Sequence, residues 1–330
     1  MIRAVSLISG GLDSALATKL MKNLGIEVIG LNLKTPFGFN SKDASVGCAQ
    51  KIAQELGIEL KTTNLIEDFF EILEHPKYGY GSNMNPCIDC KILFFHKAKE
   101  FMLESDAKFI FTGEVLGQRP MSQHKRVLRI IDKDSGLEGL VLRPLSAKLL
   151  PQTMPEKEGW VRRDRLLSFN GRTRKPQIEL AKELGVKDYL APAGGCLLTD
   201  PEFAKRTRDL IACGQLNINN IEILKLGRHF RFSKEAKLAV GRNEKENERL
   251  LNLVRDDDYL FRPLDIKGPT ALGRGSFNEG LIKLSCSIVL RYCDLDGKNS
   301  ADILYSRIPQ KEERLNVLPI KDAELIDLRI

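Results

Sequence analysis

The chain has 330 residues, with 51 Lys and Arg against 44 Asp and Glu, a net charge of +7 and 42% hydrophobic residues. That is enough apolar material for packed cores in two domains, and no apolar run approaches the roughly 20 residues of a membrane span. Seven cysteines, an odd number scattered along the chain, argue against a disulfide scaffold and for a reducing cytoplasm where thiols serve metal or redox chemistry.

The first strand begins almost at once, so no signal peptide is expected. Ala4-Val5-Ser6-Leu7-Ile8 reads as a buried strand and residues 15–24 have helical periodicity. Between them lies Ser9-Gly10-Gly11-Leu12-Asp13-Ser14. Glycines at a strand-to-helix turn let backbone approach an anion, and the first helical N–H groups point outward, unpaired. The helix dipole favours negative charge there, the serine hydroxyls complete a cradle, and Asp13 is placed to hold Mg2+ or to cap the helix. No Gly-Lys-Ser/Thr follows, which excludes the Walker pattern. The motif resembles the pyrophosphate loop of the ATP-pyrophosphatases, which implies cleavage of ATP to AMP and pyrophosphate.

Further strands are expected at 27–33, 59–64 and 108–112, with helices at 44–56, from 69 and at 91–103. Strands and helices in alternation imply an α/β fold, a doubly wound parallel sheet. Ligands of such sheets bind at the carboxyl ends of the strands. Residues 114–175 show weak patterning and are expected to be ordered but irregular. A helix at 177–184 ends on Gly185, and Pro192-Ala193-Gly194-Gly195-Cys196 reads as a tight turn. The domains expected are 1–200 and 201–330, the second a smaller α+β module with a helix at 203–212 and strands at 237–240 and 282–290.

Cys87-Ile88-Asp89-Cys90 directly precedes a helix, so its thiols are expected to be acidified to thiolates. Zinc normally takes four Cys or His ligands; the four histidines show no paired spacing and no second CxxC exists. Cys196, in its glycine turn, is the third candidate. Three cysteines suit a 4Fe-4S cluster with one iron free of protein thiolate. A persulfide on one cysteine, resolved by another, needs only two and remains open. Cys48, Cys213, Cys286 and Cys293 are expected to be small packing residues. Residues 119–175 carry 14 Lys and Arg against 6 Asp and Glu, a surface suited to a polyanion. Arg162, Arg163, Arg165, Arg172, Arg174 and Lys175 are the expected phosphate contacts, and Trp160 either stacks a base or packs.

Thr112-Gly113-Glu114-Val115-Leu116-Gly117-Gln118, with Ser122-Gln123, resembles a second motif of the tRNA 4-thiouridine synthetases, a likeness covering about residues 1–200. It implies an adenine nucleotide alpha-hydrolase-like fold. By it, Leu7, Ile8, Asn32 and Leu33 line the adenosine site. Ser9, Gly10, Gly11, Asp13, Ser14, Lys91, Gly113, Gln118 and Gln123 address the rest of ATP. Family members carry an N-terminal RNA-capturing THUMP region, which finds no place before Ile2, and the rhodanese-like cysteine domain of the bacterial branch is not matched. The CxxC with a later cysteine resembles the iron–sulfur-dependent tRNA thiolases. Residues 226–274 resemble the RNA-binding NFACT-R module.

The resemblance implies that a uridine carbonyl oxygen is adenylated and replaced by sulfur. Asp13 and the Cys87/Cys90/Cys196 set would be catalytic, and the three thiols would also hold the cluster. The partners implied are tRNA, a sulfur donor (sulfide or a cysteine desulfurase) and a second copy of the chain in a homodimer. The product expected is 4-thiouridine at tRNA position 8, with 2-thiolation of the anticodon wobble uridine as the alternative. An amidotransferase-like ligase on a small acid and a non-catalytic RNA-binding iron–sulfur protein stay open as rivals.

Overall fold

β1 (Arg3–Leu7) lies at the centre of a five-stranded sheet. Around it are β2 (Glu27–Lys34), β3 (Leu60–Asn64), β4 (Phe109–Thr112) and β5 (Val141–Leu142) in the order β3-β2-β1-β4-β5. Every pairing is parallel. This computed structural model describes residues 1–38, 42–187, 189 and 196–330, and of 42–46 the backbone alone. The turn expected at Pro192 to Cys196 lies outside the described residues apart from Cys196.

The helices of this sheet are α1 (Leu12–Asn23), α2 (Lys42–Glu55), α3 (Ile66–Glu74), α4 (Cys87–Glu104), α5 (Lys125–Asp134), α6 (Met154–Lys157) and α7 (Lys175–Leu184). They cover both faces, as a parallel sheet requires. Strand alternation assigns residues to each face. Ala4, Phe109 and Phe111 pack with Leu16 and Ala17 of α1 and Ala181 of α7. Val5, Leu31 and Ile110 pack with Phe95 and Ala98 of α4 and Ile131 of α5. β4 is buried along its whole length, and Trp160 lies over Phe109 with ring centroids 6.3 Å apart, a packing contact.

The chain divides into two units, Met1–Thr199 and Asp200–Ile330. In the second, α8 (Pro201–Ala212), α9 (Ile218–Leu224), α10 (Glu244–Leu251), α11 (Glu279–Arg291) and α12 (Asp322–Ile326) accompany six strands. These are β6 (Arg228–Arg231), β7 (Lys237–Val240), β8 (Tyr259–Pro263), β9 (Ala271–Arg274), β10 (Ala301–Arg307) and β11 (Glu313–Val317). Their order is β11-β10-β8-β9-β7-β6, antiparallel throughout. The unit is α+β. Its core joins Phe230, Phe261 and Ile303 to Cys286, Ile288 and Val289 of α11.

Two expectations are corrected. Residues 282–290, read as a strand, belong to α11. Their alternation of Ile282, Leu284, Cys286, Ile288 and Leu290 imitates a strand, but the buried set Ser285, Cys286, Ile288, Val289 and Leu290 contains adjacent residues that a strand would send to opposite faces. Asn278 caps the helix by accepting from the Leu281 amide at 2.9 Å. Residues 114–175 also hold more regular structure than expected, because α5 and β5 widen the sheet. The signal was weak because β5 has two residues and α5 buries only Leu128 and Ile131. Among the described residues no helix is long and apolar enough to cross a membrane.

Candidate active site

The parallel register places Leu7 of β1 opposite Thr112 of β4. Whatever follows these two residues must emerge side by side at the carboxyl end of the sheet. After β1 the chain turns through Gly10, at φ 81°, a left-handed conformation that suits glycine. Gly11 is the N-cap of α1. The Ser14 hydroxyl donates to the Gly11 carbonyl at 2.8 Å, and the Ser9 and Ser14 hydroxyls lie 3.4 Å apart. Asn32 at 5% exposure donates to the Ile8 carbonyl at 2.6 Å and ties β2 to the loop.

After β4, Gly113 passes directly over this turn. A Cβ on Gly113 would lie 2.3 Å from the Asp13 carbonyl carbon and 2.4 Å from the Ser14 nitrogen. Only a residue without a side chain permits this contact. Gln118 Nε2 then donates to Asp13 Oδ2 at 2.8 Å, and Arg174 Nη2 lies 3.9 Å from the same oxygen. Asp13 Oδ1 is buried and has no hydrogen-bond partner. A buried carboxylate oxygen left in this way suits a cation or a ligand donor, so the site fits Mg2+ with a nucleotide. Gln123 closes the loop behind Gln118. Its carbonyl accepts from the Gly117 amide at 2.7 Å and its Oε1 from the Arg119 amide at 2.9 Å. Ile8 is 2% exposed and belongs to the core, and its amide donates to the Leu31 carbonyl at 2.9 Å. Leu7 and Leu33 are half-buried against the other face of the sheet.

Glu114, 4% exposed, carries the loop toward the cysteines. Lys91 Nζ lies 3.1 Å from its Oε1 and Arg143 Nε 3.0 Å from its Oε2. Arg143 also grips Asp132 with two bonds of 2.9 and 2.7 Å. Burial pushes the Glu114 carboxyl up, but the Lys91 and Arg143 charges outweigh it and hold it at about 2. Asp132 is raised, because burial exceeds what Arg143 offsets.

Lys91 follows Cys90 in the first turn of α4, so one ion pair joins the CxxC helix to the loop lying on the glycine turn. Asp89 of the same turn accepts from the amides of Lys77 and Tyr78, each at 3.1 Å. Cys196 reaches the CxxC through backbone pairing. Leu197 donates to the Phe37 carbonyl at 2.9 Å, Met84 to the Leu198 carbonyl at 3.1 Å, and Asn83 Nδ2 to the Thr199 carbonyl at 2.8 Å. The three thiols are neighbours electrostatically: Cys87 and Cys196 both raise Cys90, and Cys87 raises Cys196. Arg119 bears on Cys90 and Cys196 in the opposite sense.

The expected thiolate is corrected at Cys90. Burial is the leading cause that drives the Cys90 thiol up, and it takes Cys196 to about 11. Among the described residues no three His, Cys, Asp or Glu side chains are gathered closely enough to hold a metal ion, Cys87, Cys90 and Cys196 included. Cys286 is buried, and Cys48, Cys213 and Cys293 are half-buried free thiols.

The basic stretch is more spent than its composition suggests. Arg143 is buried, Arg163 pairs with Glu156 and donates to the Leu150 carbonyl, and Arg162 and Arg165 share Asp164. Arg172 and Lys175 are exposed. Arg174 faces Asp13 of the glycine turn. Sequence reasoning overlooked Arg119, Arg143 and Gln177. Arg119 and Arg143 were counted only as positive charge, and nothing local marks Gln177.

Comparison with known proteins follows the two-unit division. Residues 2–148 match the family described as thiamine biosynthesis protein (ThiI), and residues 227–328 match the NFACT protein RNA binding domain. The tRNA-specific 2-thiouridylase MnmA of Proteus mirabilis is 30% identical over 157 residues, covering 44% of this chain and 42% of the relative. That of Marinobacter nauticus is 25% identical over 245 residues, covering 69% of this chain and 58% of the relative. The chain thus spans about half the length of the curated relatives it matches. A solved 4-thiouridine synthetase–RNA complex with bound ATP superposes with a TM-score of 0.40 at 20% identity, covering 68% of this chain and 52% of the other.

Proposed function

We propose that the chain is an ATP-dependent tRNA sulfurtransferase that adenylates a uridine carbonyl oxygen and replaces it with sulfur. The observation that carries this reading is the contact chain from Asp13 and Ser14 through Gly113 and Glu114 to Lys91 and Cys90. It supports an anion-binding turn near the CxxC, since Lys91 directly follows Cys90. The family match over residues 2–148, the RNA-binding match over 227–328 and the relatives' names support it.

The atoms balance as follows. The uridine oxygen attacks the α-phosphorus of ATP, the α–β bridging bond breaks and pyrophosphate leaves. A sulfide-level sulfur attacks the ring carbon, forming C–S as C–O breaks and AMP departs. Oxide is a poor leaving group and AMP a good one, which is why the first step must precede the second. The turn at Ser9 to Ser14 and the first amides of α1 take up the developing phosphate charge. Asp13 would hold Mg2+, which when bound spreads charge over the departing pyrophosphate. Lys91 and Arg174 add fixed positive charge. Leu7, Ile8, Asn32 and Leu33 would flank the adenosine, and Gln123 would keep the loop in shape. Drawn together, Cys87, Cys90 and Cys196 would hold a 4Fe-4S cluster, which would supply sulfide-level sulfur. Without a cluster, one thiol would take a sulfane sulfur from the persulfide of a cysteine desulfurase, whose own thiol leaves. The terminal sulfur would attack the ring carbon as AMP departs, and a second thiol would attack the inner sulfur, freeing the thiocarbonyl and leaving a disulfide for an external dithiol to reduce. Arg162, Arg163, Arg165, Arg172, Arg174 and Lys175 would follow the tRNA backbone.

Two products compete. The likeness at residues 112–123 favours 4-thiouridine at position 8, whereas the names of the curated relatives favour 2-thiouridine in tRNA, for which the wobble uridine is the alternative target. Nucleoside analysis of tRNA incubated anaerobically with protein, ATP, Mg2+ and sulfide separates them. AMP formation with either thionucleoside supports the reading, and absence of AMP overturns it. Iron and sulfide assay of the anaerobic protein tests the cluster, and Cys196→Ala is expected to lose most of the iron. A colourless protein that is active with a cysteine desulfurase, cysteine and a dithiol but not with sulfide alone would favour the persulfide route, and unchanged iron in Cys196→Ala would mean another thiol is the third ligand.

A further inference from the structure

Gln177 is 1% exposed in the first turn of α7. Its Nε2 donates to Gln118 Oε1 at 3.4 Å, and Gln118 Nε2 donates to Asp13 Oδ2 at 2.8 Å. At the two ends of this row Gln177 Oε1 and Asp13 Oδ1 are buried without a hydrogen-bond partner. We propose that Gln177 is a positioning residue for Asp13, acting through Gln118. The inference rests on the nucleotide reading above and names a residue that this reading leaves out.

The polarity of the row follows from its end. An ionised carboxylate only accepts, so Gln118 must turn its NH2 group toward Asp13. That turns the Gln118 oxygen toward Gln177, which must answer with its own NH2 group. The Gln177 oxygen is then left over in a dry place, and an orphaned buried amide oxygen costs stability. A residue kept only for packing would be better as an apolar side chain of the same length. Arg174, one turn earlier on α7, addresses the same Asp13 oxygen at 3.9 Å. Between them Oδ2 is held from two sides, and Oδ1 keeps one fixed orientation for what the site binds.

Stability and function are therefore expected to move in opposite directions. Gln177→Met keeps the length and removes both the donor and the orphaned oxygen. Its thermal midpoint is expected to equal or exceed that of the parent, while AMP formation from ATP with Mg2+ and tRNA falls about tenfold, the lower end for loss of a supporting contact. Gln118→Met is expected to fall at least as far. The double variant is expected to be no slower than Gln118→Met alone, because the two residues act in series. Unchanged turnover in Gln177→Met, or losses that multiply in the double variant, would overturn the proposal. A parent protein that neither binds Mg2+-ATP by calorimetry nor forms AMP sinks both readings; one that forms AMP while Gln177→Met matches it sinks this one alone.

Discussion

Gly113→Ala is expected to abolish ATP-to-AMP turnover, by at least about a hundredfold, since a displacement of about 1 Å at a reacting site costs that much. The added methyl would sit 2.3 Å from the carbonyl carbon of Asp13 and 2.4 Å from both its oxygen and the Ser14 nitrogen. These are backbone atoms in the first turn of α1, whose outward amides form the anion cradle, so no side chain can swing away to relieve the clash. Either the loop after β4 lifts, taking Gln118 from Asp13 and Glu114 from Lys91, or the first turn of α1 is pushed down into the sheet. Overpacking of this kind costs about 1–3 kcal/mol, which a thermal or urea denaturation would read beside the kinetics. Gly47→Ala is the control. It lies within α2 with open space around its Cβ, so alanine there is expected to stabilise by about 0.5–1 kcal/mol with turnover unaltered. Equal turnover in Gly113→Ala and the parent would show that the two loops do not form one site.

What could be read from the chain alone was what depends on local sequence. The strand-to-helix turn at Ser9 to Ser14 announces itself because glycine, serine and an apolar run occupy neighbouring positions. β4 was legible because a strand buried on both faces has no alternation to disguise it. The failures share a different cause. α11 carries an alternating pattern on a helical backbone, and the deciding residue, Asn278, lies outside the pattern. Arg143 reads as one more surface cation, yet it is 4% exposed between two carboxylates contributed by β4's loop and α5. The thiol of Cys90 was expected to ionise from its place beside a helix start, but burial is a property of the folded whole and it outweighs the helix end. The row from Gln177 to Asp13 crosses from residue 177 to residue 13, and no spacing rule connects such distant positions.

Arg143→Met is expected to show the largest stability loss, about 3–5 kcal/mol, because removing one member of a buried charge group leaves the others uncompensated. Arg143 holds Glu114 by its Nε and Asp132 by both terminal nitrogens, and lysine cannot reproduce that fork, so Arg143→Lys should recover only part. The pH dependence supplies the sharper test. In the parent, Glu114 is depressed from 4.5 to about 2, burial opposing and the Lys91 and Arg143 charges prevailing. A carboxyl lowered in the folded state contributes its stability above the unfolded value and loses it as pH falls, here through the window from about 4.5 down to about 2. Asp132 has its pKa raised, burial leading, and works against this on a smaller scale. Without Arg143, Asp132 rises further and Glu114 keeps only Lys91. Carboxyls raised above their unfolded values take up protons on folding, so stability then falls as pH rises. The variant is therefore expected to be more stable near pH 5 than near pH 8, with a slope opposite to that of the parent below pH 4.5. Glu114→Gln with Asp132→Asn in the Arg143→Met background is expected to remove the slope and restore part of the loss. Parallel pH–stability curves for parent and variant would show that the charge group does not hold the loop between the nucleotide turn and the cysteines.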